Sequence, residues 1–187
     1  MVARLRHSAR PSARSAARVR LEAPTARRRA EFLTAVRRSR RLHTPWVSPP
    51  ASPAAYAAFL RRLRRPTHVG YLVCRRDTGA LVGVINISEM VGGVFRSGYL
   101  GYYAFVPHAG HGLMREGLAR VITEAFRRRR LHRLEANIQP ANRRSIRLVR
   151  SLGFRREGFS PRYLEIFGRW RDHERWAILA EAWRARR

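Results

Sequence analysis

The sequence predicts an α/β fold, a sheet flanked by helices, built as one domain. Three observations predict it. At 187 residues, 45% of them apolar, the chain is long enough to bury one core without disulfides or metals and short for two domains. Apolar residues recur at helical spacing in some stretches and as short strand-like runs in others. Gly, Pro and Asp residues punctuate the boundaries, giving the order βααβββαβαββ.

Residues 1–17 contain one Pro and no acid among Arg, Ser, Ala and His. They offer no core face, so a disordered basic tail is expected, with the domain proper over 18–187. A start codon set too early, a basic arm for RNA and a transit peptide remain open for this stretch. A short strand is expected at 18–21. The Pro24-Thr25 turn then opens a helix with Ala30, Phe32, Leu33 and Val36 on one side. Pro45, Pro49 and Pro50 break it, because proline lacks an amide donor and restricts its neighbour, and a second helix follows over 53–64.

Apolar runs at 70–75 and 81–88, joined by Arg76-Asp77-Thr78-Gly79, predict a hairpin. After Gly92-Gly93 the run 97–106 reads as a third long strand, ended by the stretch 107–112. A helix over 113–129 carries Leu118, Val121, Ile122, Ala125 and Phe126 on one apolar face, which is a core face. A strand at 133–138, a helix at 142–152 stopped by Gly153, and closing strands at 159–166 and 173–179 complete the chain.

The formal charge is +28, and all 40 basic residues are Arg. A GC-rich genome accounts for this composition, and so does an anionic partner, since guanidinium pairs bidentately with phosphate. Charge alone does not choose between the phosphates of a nucleotide cofactor and ribosomal RNA. The single cysteine, Cys74, sits in an apolar run and has no partner for an internal disulfide. No apolar stretch approaches the roughly 20 residues of a membrane helix. A soluble, cytoplasmic protein is the expectation.

Gly110 and Gly112 lie between a strand end and a helix start, where a backbone without Cβ can turn consecutive amides toward a phosphate. A plain strand-to-helix turn explains two glycines equally well. Asn142 opens a helix and is suited to capping it. Glu89 is the one acid on the strands before the glycine loop, and is read either as a general base acting through water or as an exposed turn residue. His111, His132 and His173 lack the paired spacing of metal ligands, so no metal is expected. The segment 168–173 reads as a hairpin turn, with strand-end packing and an Arg-Asp pair.

The stretch Ala109-Gly110-His111-Gly112-Leu113-Met114 resembles the acetyl-CoA loop of the GNAT superfamily, Q/R-x-x-G-x-G/A. Ala109 departs from the usual Gln or Arg, and Met114 from the last small residue. The segment HRLEANIQPANRRSIRLVRSLGFRREGF (132–159), followed by YLEIFGRWRDH (163–173), is similar to the RimJ/RimL branch of that superfamily, as is Tyr99-Leu100-Gly101-Tyr102. The resemblance covers roughly residues 19–178.

The resemblance implies a GNAT fold: a central mixed, largely antiparallel sheet with splayed middle strands. It implies acetyl-CoA as co-substrate, and transfer of the acetyl group to the N-terminal amine, Ala or Ser, of a ribosomal protein. Main-chain groups near Phe105 and Val106 would pair with the pantetheine amides, a bulge there would bind the developing oxyanion, and the amides of Gly110, His111, Gly112, Leu113 and Met114 would hold the pyrophosphate. Asn142 would bond the pantetheine. Ser145 would pass a proton to the thioester sulfur, a solvent-facing hydroxyl being the other reading, and Tyr102 and Tyr163 stand beside it for proton handling or substrate lining. Within the fold, an antibiotic amine, a polyamine or a free amino acid are alternative acceptors. A ribosome- or RNA-associated binding protein on the same scaffold is the reading from another class. Monomer and homodimer both remain open, with Trp170, Trp176 and Trp183 at an interface or in the core.

Overall fold

The computed structural model describes residues 17–186; of the expected basic tail, residues 1–16 lie outside them. Strand β1 (Val19–Glu22) leads through a short 3-10 turn (Ala26–Arg28) into α1 (Arg29–Arg38). Two further helices follow, α2 (Arg40–His43) and α3 (Pro53–Arg62). Ser52 caps α3 by accepting from the Ala55 N–H at 3.1 Å, and Pro53 occupies its first turn, where a missing amide costs nothing. Strands β2 (Val69–Arg75), β3 (Leu81–Val91) and β4 (Ser97–Ala104) form a meander. Helix α4 (Leu113–Arg127), β5 (Arg133–Ile138), α5 (Arg143–Ser151), β6 (Arg155–Ile166), β7 (Arg169–Leu179) and α6 (Ala180–Arg184) complete the order.

The strands make one seven-stranded sheet in the order β1-β2-β3-β4-β5-β7-β6. Each neighbouring pair is antiparallel except β4 and β5. Those two pair only from Ser97 with Arg133 to Tyr99 with Glu135. Beyond that point β4 runs on to Ala104 and β5 to Ile138 without meeting, so the sheet splits in its middle. A parallel pair with free ends leaves two rows of main-chain N–H and C=O groups facing a gap.

Two cores lie on opposite faces. Leu118, Val121 and Ile122 of α4 and Ile146 and Val149 of α5 pack with Leu134, Ala136 and Ile138 of β5 and with Trp176 and Ile178 of β7. On the other face Phe32, Tyr56 and Phe59 of α1 and α3 meet Leu72, Val84 and Phe105. Phe32 sits 4.6 Å from Tyr56 and 5.7 Å from Phe105 between ring centroids. Side chains alternate across β4, so Leu100 joins the first core and Tyr103 the second.

Several boundaries differ from the sequence reading. Helices α2 and α6 are too short for a periodic signal. Strand β6 begins at Arg155 rather than 159, because it is an edge strand with a largely exposed, polar sequence. Strand β7 begins at Arg169, and the turn is Phe167-Gly168, both with positive φ. Strand β4 stops at Ala104. Asp172 makes no pair with Arg171; its carboxylate accepts from the Arg162 main-chain N–H at 2.8 Å, opposite a bulge in β6 between Ser160 and Leu164. Trp176 and Trp183 are core residues, whereas Trp170 is exposed. Among the described residues no helix is long and apolar enough to cross a membrane.

Candidate active site

A cavity of about 1140 Å³ opens where β4 and β5 part. One wall comes from β4, α4 and α5. Gly112, at φ 77°, is the N-cap of α4, and Gly110 lies in the loop before it at φ 89°. Both conformations are left-handed, which glycine adopts without strain. The Glu116 N–H is the first of α4 to find an acceptor, Gly112 O at 3.2 Å. Among the described residues the amides of Leu113, Met114 and Arg115 have no acceptor, at a helix N-terminus that borders the cavity through Gly110, Gly112, Met114 and Arg115. Arg143, Arg144 and Arg147 of α5 line the same region.

At the back of this wall the Tyr102 Oη and Ser145 Oγ are 2.5 Å apart. Burial pushes the Tyr102 phenol above its ordinary pKa, against the opposing pull of the Ser145 bond, so the phenol is protonated at neutral pH. Asn142 caps α5, its Oδ1 accepting from the Ser145 N–H at 3.1 Å. One capping bond therefore fixes the turn that aims Ser145 at Tyr102.

The opposite wall uses the other faces of the same strands. His43 of α2 is 3% exposed and donates from Nε2 to the Ala104 carbonyl at 2.8 Å. Its Nδ1 is then an acceptor, buried and without a partner. Asn137 Oδ1 on β5 is likewise buried and unpartnered. His173 of β7, 3% exposed, donates from Nδ1 to the Arg171 carbonyl at 2.9 Å. Burial holds both imidazoles below the ordinary value, outweighing in each case the bond to the carbonyl. Gln139 ties the end of β5 to the segment after α2, donating to Pro45 O and Trp46 O at 3.3 Å. Among the described residues lining the cavity there is no Asp or Glu.

Of the residues singled out from sequence, Tyr102, Gly110, Gly112, Met114, Asn142 and Ser145 line one cavity. Leu113 points into the core, and His111, outside the cavity lining, accepts with its carbonyl from Arg18 at 3.3 Å. Phe105 and Val106 are corrections. Phe105 donates its N–H to Val82 O at 2.7 Å, and Val106 donates to Ser39 Oγ at 3.0 Å. Main-chain groups alternate along a strand, so with Phe105 facing β3 it is Leu100, Tyr102 and Ala104 that turn theirs toward the gap. Glu89 is also elsewhere. It sits at a bulge near the far end of β3, exposed, 3.4 Å from His68 and outside the cavity lining. Tyr163, outside the cavity lining, packs against His173 with ring centroids 6.2 Å apart. Sequence alone does not single out His43 or Asn137, and it gives His173 no role beyond strand-end packing. An isolated polar residue in a strand carries no mark of the face it occupies, and no signal separates these from ordinary surface positions.

The description that matches this chain is an acetyltransferase (GNAT) domain, over residues 18–155. The chain is 41% identical over 107 residues to the [ribosomal protein uS5]-alanine N-acetyltransferase of Escherichia coli, a match covering 57% of this chain and 55% of that one. It thus spans about half the length of that relative. Mycobacterium smegmatis RimJ, solved with CoA-disulfide, superposes with a TM-score of 0.79 at 28% identity, covering 87% of this chain and 82% of the other. The ribosomal-protein-S5-alanine acetyltransferase of Vibrio fischeri shares the fold, with a TM-score of 0.77 at 24% identity over 89% and 95% of the two chains.

Proposed function

We propose that this chain, which belongs to the GNAT acetyltransferase family, transfers the acetyl group of acetyl-CoA to the N-terminal amine, Ala or Ser, of a ribosomal protein. The observation that carries the reading is a helix N-terminus with free amides, flanked by arginines, in the same cavity wall as the hydrogen-bonded Tyr102–Ser145 pair. Acetyl-CoA brings an acyl carbon activated as a thioester and, on its nucleotide end, phosphates. The amides at the start of α4, with Arg115, Arg143, Arg144 and Arg147, fit those phosphates. The unpaired edge of β4 at Leu100, Tyr102 and Ala104 fits the pantetheine amides as an added strand would. The Ala104 carbonyl already accepts from His43, which leaves its N–H as the remaining donor there.

The hydrogen-bonded hydroxyls of Tyr102 and Ser145 would supply the proton to the departing thiolate. Asn142 orients Ser145 for that role. The carboxylate-free lining disfavours a polyamine, whose several ammonium groups need counter-charges, and suits a peptide with one amine. The E. coli relative named for uS5 alanine supports the ribosomal acceptor.

Residues 18–187 are taken as the transferase domain, acting in the cytoplasm as a monomer or homodimer. The charge of +28 favours a second reading, ribosomal RNA contact by the basic surface, as an aid to acceptor encounter or as the whole function. Calorimetric titration with acetyl-CoA, followed by mass spectrometry of peptides beginning with Ala or Ser, separates the two. Binding with a gain of one acetyl at the α-amine is expected. No binding at low salt, together with salt-sensitive RNA binding, would leave the RNA reading standing.

A further inference from the structure

A transferase of this kind receives its acceptor as an ammonium ion, and one proton must go before the nitrogen can attack. The cavity lining holds no carboxylate among the described residues, and Glu89 lies outside it. The bases that remain are two neutral imidazoles, and their tautomers differ. His43 spends Nε2 on the Ala104 carbonyl, and its Nδ1 is fully enclosed. His173 spends Nδ1 on the Arg171 carbonyl, which leaves the Nε2 lone pair without a partner among the described residues and, unlike His43 Nδ1, not enclosed, on a residue that lines the cavity. Its reach is into the open space.

We propose that His173 is the base of the acetyl transfer, its Nε2 taking the proton of the acceptor amine. The inference rests on the acetyltransferase reading above. Asn137 stands opposite Arg175, so His173, two residues along β7, shares the face of the sheet on which Asn137 lines the cavity. The balance is complete. The ammonium gives one proton to His173 Nε2, which releases it to solvent; the neutral nitrogen then bonds the acyl carbon as the carbon–sulfur bond breaks, the sulfur takes a proton from the Tyr102–Ser145 pair, and the second proton shed by the nitrogen goes to solvent, from which the pair is reprotonated.

The ionisable groups around His173 are Tyr163 on β6, with Tyr99 on β4 bonded to it, Asp172 beside it and Arg171 and Arg175 on its own strand, and His43 and Arg41 across the cavity. Asp172 pulls the imidazole toward protonation and burial opposes it more strongly. The ring therefore stays a free base at neutral pH.

The test is His173→Gln in the full chain, with an Ala-initial peptide, turnover against pH, and acetyl-CoA titration alongside. At pH 7 we expect turnover to fall by about 100-fold or more, with acetyl-CoA affinity retained. The wild-type acidic limb is lost in the variant, whose rate then climbs with pH until the peptide amine, of pKa about 7.7–8.0, is neutral unaided. A misfolded variant shows no such recovery. An active wild type whose H173Q variant keeps turnover within threefold and the same pH profile overturns this inference alone. A wild type that neither binds acetyl-CoA nor acetylates the peptide overturns the reading beneath it and this inference together.

Discussion

On the wall formed by α4 and α5, polar groups are donors or cations: unpaired amides at the start of α4, the arginines of α5, and two hydroxyls bonded to each other at 2.5 Å. On the wall formed by α2, β5 and β7 the buried groups without partners include two neutral acceptors, His43 Nδ1 and Asn137 Oδ1, beside one guanidinium nitrogen, Arg171 Nε. Both walls draw on the same strands, because adjacent residues of a strand point to opposite faces. Tyr102 faces Ser145, and its neighbour Tyr103 packs against Phe105 and His43. Under the proposed function, the helix amides and arginines of the first wall would receive the anionic cofactor and the second wall the acceptor amine.

The largest effect that would break this comparison is at the donor wall. Gly112→Val forces a β-branched residue into a left-handed backbone, at a cost of about 1–2 kcal/mol before any clash, and moves the helix amides. Acetyl-CoA binding is expected to disappear in calorimetry; wild-type affinity would remove the anion site from α4. Next are the hydroxyls. Tyr102→Phe and Ser145→Ala should each lower turnover by about 10- to 100-fold with acetyl-CoA affinity unchanged, and the double variant should be little worse than either, because one proton path is broken once. Additive losses would show two separate roles.

Asn142→Ala removes a helix cap and should cost about 1 kcal/mol of stability in urea unfolding, with a few-fold loss in turnover from the misaimed Ser145. Acid sharpens the acceptor wall. His43 and His173 are held below the ordinary imidazole value of 6.5, so the unfolded chain binds more protons just below that pH. The stability they permit is full above pH 6.5 and declines as pH falls from there through their lowered values, and His43→Gln should flatten that decline in thermal melts. The smallest effect is at Glu89→Gln, where turnover within about twofold of wild type is expected from its place outside the cavity. A loss of 100-fold would return the base to β3.

How much of this was legible in advance differs by residue. The placement of Gly110 and Gly112 at one strand-to-helix junction, and of Asn142 and Ser145 at another, was readable because local rules for turns and caps apply there. Phe105 and Val106 were misassigned by a single step of register. The apolar run continues past Ala104 with no sequence mark where the ladder ends, and in a structure of period two that step reverses which way every amide points. Glu89 looked eligible because its strand borders the cleft, yet β3 is long enough to carry it to the far end.

By itself the sequence determined the helix faces, the order of strands, the glycine loop and the cationic character of the chain, all of which follow from spacing and composition over short distances. Only the tertiary structure decided where β4 leaves β5, and that β7 inserts between β5 and β6 to set His173 beside Asn137. The physical reason is that tautomer, burial and orphaned lone pairs depend on partners distant in the chain. His43 meets Ala104 across 61 residues, and nothing near either one in sequence announces the bond.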